Sequence, residues 1–273
     1  MRDLGSVSKM VVDAGDARPG MEVASLSDVG LQRANNEDSY LYWEPENDLD
    51  FKDKGRLGVI ADGMGGYEGG QEASRLAVQT VCETYMNART ADPRAALYDA
   101  FTLAHTRIQG YGLEHPELLG MGTTCTALAI LDRELFFAHV GDSRLYLVRN
   151  RSVSKLTRDH SYVSRLVESG IVRSEDAETH PQRHILTAAL GSGTELTPDV
   201  SPKPIRLEDG DDLILCTDGL WGQVTEKELI LAVEGAGAEQ TCLALVKLAL
   251  ERGGPDNITL QVLRCKFGEA TSD

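Results

Sequence analysis

The chain has 273 residues, 41% of them hydrophobic, and a net charge of −16 from 27 Lys and Arg against 43 Asp and Glu. That is the balance of a folded globular protein, and its acidic excess excludes a surface built to displace counterions from nucleic acid or to lie on an anionic membrane. Apolar runs such as 127–131 fall far short of the ~20 residues that span a bilayer, and five scattered cysteines without a C-x-x-C read as reduced, packed thiols of a cytoplasmic protein.

Residues 1–20, with Gly5, Gly15, Pro19 and Gly20 and no sustained period, read as a leader. From 21 to 266 the chain reads as one domain, without linker or repeat, followed by a short tail at 267–273. Strands are expected at 39–43 and 56–60, separated by the acidic stretch 44–53, read as a solvated loop or hairpin tip. The spacing of Leu76, Val78, Val81 and Tyr85 predicts a helix over 71–88. Asp92-Pro93 supplies a cap and a first-turn proline for a helix over 95–108. Strands follow at 123–131, 135–140 and 145–148, the last two flanking Gly141-Asp142-Ser143-Arg144 as a hairpin. A short helix over 161–168 stops at Gly170, and a strand is expected at 213–216. Thr225 with Glu228 fits a capping box that opens a helix to about 234. A last helix over 238–251 and a strand at 258–262 complete the order. Strands in adjacent runs with helices in separate clusters predict mainly antiparallel sheet with helices outside it.

The acids are placed at strand ends. Asp62 and Asp218 each follow an apolar strand and precede a glycine, while Asp256 stands just before another strand. Glu37 and Asp38 lead into 39–43, and Asp142 lies in the expected hairpin. A single Asp-Gly is an ordinary turn pair. Six acids gathered with few bases beside them repel one another and take up protons unless a cation is present. Oxygen ligands without His or Cys suit Mg2+ or Mn2+. His180 and His184 are four apart, but Pro181 between them makes them loop residues rather than a ligand pair. The glycines between 63 and 70 let backbone come close to a metal or its waters. Arg33 precedes Glu37 and Asp38 and can clamp a phosphate bidentately beside them.

These features coincide with a family pattern. In order they are Ser27-Asp28-Val29-Gly30 with Arg33 and Asn36-Glu37-Asp38; Ala61-Asp62-Gly63-Met64-Gly65-Gly66; Gly120-Met121-Gly122-Thr123-Thr124; His139-Val140-Gly141-Asp142-Ser143-Arg144; Thr157-Arg158-Asp159-His160-Ser161; Ala189-Leu190-Gly191; Thr217-Asp218-Gly219; and Pro255-Asp256-Asn257. The chain resembles the metal-dependent protein Ser/Thr phosphatases of type 2C in their compact bacterial form. The resemblance implies an α+β fold, a four-layer α-β-β-α sandwich of two mainly antiparallel β-sheets flanked by helices. It implies two ions, Mn2+ or Mg2+, with Asp62 bridging both, the Gly63 carbonyl on one, and Asp218 and Asp256 on the other. Glu37, Asp38 and Asn257 would stand beside them or act through water, and Asp142 with Asp218 would hold a third, weaker ion. Arg33 would bind the substrate phosphate, and 156–188 would form a flap over the site. The implied activity is hydrolysis of phosphoserine and phosphothreonine in proteins by a metal-activated water, without a phosphoenzyme. Implied partners are those phosphoproteins and a Ser/Thr kinase that shares them, for a monomer that uses neither nucleic acid nor membrane. Met64 stands where some relatives carry a histidine proposed as general acid, so the acid is open, with a water on the third ion as one candidate. Two rivals are a binding module or pseudophosphatase on the same fold, which should have lost one or more metal acids that are all present here, and a metal-dependent phosphohydrolase of small molecules or nucleotides, of which a nucleotide enzyme should show an aromatic or basic base-binding set near the acids.

Overall fold

The computed structural model describes residue 13 and residues 17–65, 68–193 and 195–268. The first half runs β1 (Met21–Asp28), β2 (Asp38–Trp43), α1 (Asp48–Lys54), β3 (Arg56–Met64), α2 (Gly69–Met86), α3 (Pro93–Glu114), β4 (Gly122–Thr123), β5 (Cys125–Leu131) and β6 (Glu134–Val140). The second half runs β7 (Arg144–Arg149), β8 (Ser152–Lys155), α4 (Tyr162–Glu168), β9 (Asp199–Val200), β10 (Ile205–Arg206), β11 (Asp212–Cys216), α5 (Asp218–Trp221), α6 (Glu226–Val233), α7 (Ala238–Glu251) and β12 (Ile258–Cys265). One sheet has the order β1-β12-β11-β7-β8; the other has β10-β6-β5-β3-β2, with β4 on β3 and β9 on β6. The pairings are antiparallel throughout the described strands.

Alternation along the strands builds three apolar layers. Leu57, Val59 and Ala61 of β3 and Ala127 and Ala129 of β5 pack under α2 and α3. Ile214 and Cys216 of β11 and Ile258, Leu260 and Val262 of β12 pack under α6 and α7. Ile60, Leu128, Ile130, Leu145, Leu213, Leu215 and Leu263 fill the space between the sheets. The result is the four-layer α-β-β-α sandwich. Both faces of each sheet are covered, which is why the strands read as near-continuous apolar runs. Asp62 shares the face of Ile60 and so points into the inter-sheet layer. The β2–β3 register sets Asp38 opposite Asp62.

The local end signals are used as expected. Asp92 caps α3 by accepting from the Arg94 amide, with Pro93 in the first turn. Thr225 with Glu228 forms the capping box of α6, while Ser161, where a helix over 161–168 was expected to begin, serves as the N-cap of α4. Four expectations are corrected. Residues 44–53 are not a simple loop: Asn47 accepts from the Asp50 amide and starts α1. The strand expected over 123–131 is broken at Thr124, whose amide turns to bond the Asp62 carbonyl. Strand β3 runs on to Met64, so Asp62 lies within it rather than beyond its tip.

The fourth correction bears most on the site. Residues 141–144 are no hairpin. The flanks of β6 are taken by β5 and by β9 and β10, so β7 crosses to the other sheet and pairs with β11 and β8. Of the expected leader, residues 1–12 and 14–16 lie outside the described residues, as do 269–273 of the tail.

Candidate metal centre

At one end of the sandwich the apolar inter-sheet layer gives way to acids drawn from both sheets. Asp38 comes from β2 and Asp62 from β3, on one side. Asp218 begins α5 after β11, and Asp256 precedes β12, on the other. Asp142 lies in the turn that joins the two sheets. Thr217 ties the sheets together by donating its hydroxyl to Asp38 Oδ2 at 2.9 Å. Thr124 fixes Asp62 twice: its hydroxyl accepts from the Asp62 amide at 2.9 Å, and its own amide donates to the Asp62 carbonyl at 2.9 Å. Gly63 is required by contact, because a Cβ there would meet the Gly70 carbonyl oxygen at 2.0 Å and the Glu37 carbonyl oxygen at 2.6 Å. Asn257 organises the loop before β2: its Oδ1 accepts from the Glu37 amide, and its Nδ2 donates to the carbonyls of Val29 and Asn35.

The charges favour a cation or protonation of the acids. Burial pushes Asp38 up to about 7, against the pull of the Thr259 and Thr217 hydroxyls, with Asp218 and Asp256 adding to the rise. Burial, then the neighbouring Asp38, Asp218, Asp142 and Asp256, holds Asp62 well above the carboxylate range. Asp142 is raised by burial and then by Asp218 and Asp159. Burial also raises Glu37. Asp38 Oδ1 and Asp218 Oδ1 are buried without a hydrogen-bond partner among the described residues. Buried polar atoms are normally satisfied, so two orphaned carboxylate oxygens in one acidic cluster mark the place of a ligand that is itself a cation.

Among the described residues no three such side chains are already closed into a metal cage. Two of the acids instead face an arginine and a histidine. Arg33 Nη2 lies 2.7 Å from Asp256 Oδ2, and His184 Nδ1 lies 3.3 Å from Asp218 Oδ2. The structure thus brings together Arg33, Glu37, Asp38, Asp62, Asp142, Asp218, Asp256 and Asn257, all expected from the sequence. The contact of His184 with Asp218 was not expected, since a proline-interrupted His pair gave no signal. The supporting contacts of Thr124 and Thr217, although both stand in the family motifs, and of Trp221, whose indole donates to the Asp142 carbonyl at 2.9 Å, were not expected either.

A two-sheet sandwich with helices on both outer faces and hard-oxygen acids between the sheets defines a class of metal-dependent phosphatases. The family model of protein phosphatase 2C matches residues 32–240. The chain belongs to that family. It is 35% identical over 242 residues to the serine/threonine protein phosphatase PstP of Mycobacterium tuberculosis, spanning 89% of this chain but 44% of that protein. It is 34% identical over 249 residues to protein phosphatase PhpP of Streptococcus pneumoniae, spanning 89% of this chain and 97% of that one. The solved catalytic domain of PstP in complex with two manganese ions superposes with a TM-score of 0.77 at 32% identity, over 90% of this chain and 99% of that one.

Proposed function

We propose that this chain hydrolyses phosphoserine and phosphothreonine in proteins, using two divalent cations, Mn2+ or Mg2+, and water as the nucleophile. The observation that carries the reading is the cluster of raised, partly orphaned carboxylates at the end of the inter-sheet layer, with Arg33 at its rim. Asp62, the Gly63 carbonyl, Asp218 and Asp256 would hold the pair of ions, with Glu37, Asp38 and Asn257 beside them, and Asp142 with Asp218 a third, weaker ion. Bound there, such cations supply a water acidified toward neutral pH and neutralise phosphate charge.

The chain's own residues do the rest. Arg33 is half-exposed and free to exchange Asp256 for a phosphoryl oxygen, which it can grip with a planar fork. No thiol offers a covalent alternative, since burial pushes Cys82 up to about 11 and Cys216 to about 12. Phosphoryl transfer straight to water fits that chemistry. The five free, buried cysteines also fit a reducing compartment, and no helix of the described residues is long and apolar enough to cross a membrane. A Ser/Thr kinase would supply the substrates of this monomeric phosphatase, the segment 156–188 lying beside its site as a flap. The test is phosphate release from a phosphothreonine peptide with Mn2+ against EDTA. No release from the folded protein under any metal overturns the reading.

Two variants separate the roles. Arg33→Ala should raise KM for a phosphopeptide about tenfold while kcat changes less, because it removes binding common to ground and transition states. An unchanged KM with lost kcat would place Arg33 elsewhere in the mechanism. Asp142→Ala should slow a phosphothreonine peptide more than p-nitrophenyl phosphate. Met64 has no proton to give, and only the alkoxide leaving group needs one. Equal losses on both substrates would remove Asp142 from leaving-group chemistry.

A further inference from the structure

Asp142 sits in a turn whose polar groups are nearly all engaged. The Gly141 amide donates to His160 Nδ1 at 3.3 Å, while the Gly141 carbonyl accepts from the His160 amide at 2.6 Å. His160 therefore holds Gly141 from both sides. An Nδ1 that accepts assigns the ring proton to Nε2, which lies 3.1 Å from Asp199 Oδ2. Asp199 opens β9 and stands opposite His139 of β6. The carboxylate orients the imidazole, and the imidazole orients the peptide group next to Asp142.

His139 closes the turn from below. It is fully buried, and burial lowers it to about 3, so it remains neutral. Its Nε2 donates to the Gly141 carbonyl at 2.9 Å, and its Nδ1 lies 2.8 Å from Thr126 Oγ1. Gly141 has a φ of +110°, and a Cβ there would stand 2.5 Å from Thr124 Cβ, so the turn admits no side chain at that position.

A second tie comes from the preceding residue. Asp159 pairs with Arg144 at 2.7 Å, and the Arg144 guanidinium lies 3.7 Å over the Trp221 ring. The Trp221 indole donates to the Asp142 carbonyl at 2.9 Å. Residues 159 and 160 thus grip the two peptide groups that flank Asp142, one through a ring and one through a stacked cation.

We propose that His160, backed by Asp199, is a positioning residue for Asp142: it sets the direction in which that carboxyl enters the site and couples the segment 156–188 to it. Its consequence for turnover rests on the phosphatase reading; its geometry does not. Hydrogen exchange of the metal-free protein reads the clamp directly. Exchange at the Gly141 amide should be slow in the wild type and selectively faster in His160→Ala. It should be slow again in His160→Asn, whose amide oxygen replaces the Nδ1 acceptor. In turnover, His160→Ala should slow a phosphothreonine peptide about tenfold and p-nitrophenyl phosphate less than about twofold, the range of residues that orient a metal-site acid. It should add nothing in an Asp142→Ala background, because the two act through one carboxyl. Unchanged exchange at Gly141 overturns the proposal, as do equal losses on both substrates that add in full to those of Asp142→Ala. Failure of the Asp142 assignment shows separately, as Asp142→Ala without effect on either substrate; exchange at Gly141 then still upholds or overturns the clamp.

Discussion

Asp218→Asn should abolish manganese-dependent phosphate release from a phosphothreonine peptide, by about a thousandfold or roughly 4 kcal/mol of transition-state stabilisation. The amide keeps the shape of the carboxylate and removes the charge. Asp218 is the acid shared between the proposed ion pair and the third, weaker ion, and its Oδ1 is buried without a partner among the described residues. Neutralising it therefore removes ligand chemistry while relieving repulsion on Asp62, Asp38 and Asp142, each of which it raises. The metal-free variant should melt at or above the wild-type temperature even as activity disappears. That pairing separates loss of a metal acid from loss of fold. EDTA on the wild type should give the same loss. Retention of a tenth or more of the activity by Asp218→Asn would show that the essential cation is held elsewhere.

In the metal-free protein the acid cluster should lose stability as pH rises from about 4 to 7, against the opposite trend of His139, which burial keeps neutral when folded. Asp38 titrates near 7 when folded, against an ordinary 3.8, and Asp62 and Asp142 are also raised well above that value. Across this window these three acids bind more protons in the folded state than in the unfolded one, so their contribution to unfolding free energy falls as pH rises, and the loss is complete above their folded values. A divalent cation competes with those protons and stabilises only the folded state. At a hundred times its Kd it should add about 2.7 kcal/mol, which for a chain of this size raises Tm by about 5–10 °C. The Mn2+-induced rise in Tm should be large at pH 8 and small at pH 5, measured by thermal melts with and without EDTA. A metal shift equal at both ends would mean that these carboxylates do not form a cation site.

Much of the site was legible because its acids stand in short motifs with glycine or asparagine neighbours. Gly63 after Asp62 admits the close approach of Gly70 and Glu37, and Asn257 after Asp256 carries the hydrogen bonds that seat Glu37. The supporting residues were less visible. Thr124 and His160 lie inside recognised motifs, yet their partners, Ser143 and Asp199, are set by how the strands pair rather than by spacing. Strand β1 escaped notice because Ala24 and Ser25 weaken its β signal, and it is an outer strand paired along its length with β12 alone among the named strands.

The sequence by itself determined most of the longer elements, two of the helix caps, the antiparallel class and the identity of the acids, because each depends on residues a few positions apart. Apolar alternation, Asp92-Pro93 and the Thr225–Glu228 box act within a turn or a strand. Only the tertiary structure decided which acids share a volume. A one-step choice at 141–144, hairpin or crossover, settles whether Asp142 stays with β6 or is carried into the space between the sheets. That choice is made by which strand edges are already taken, a competition among segments separated by tens of residues that no local pattern records.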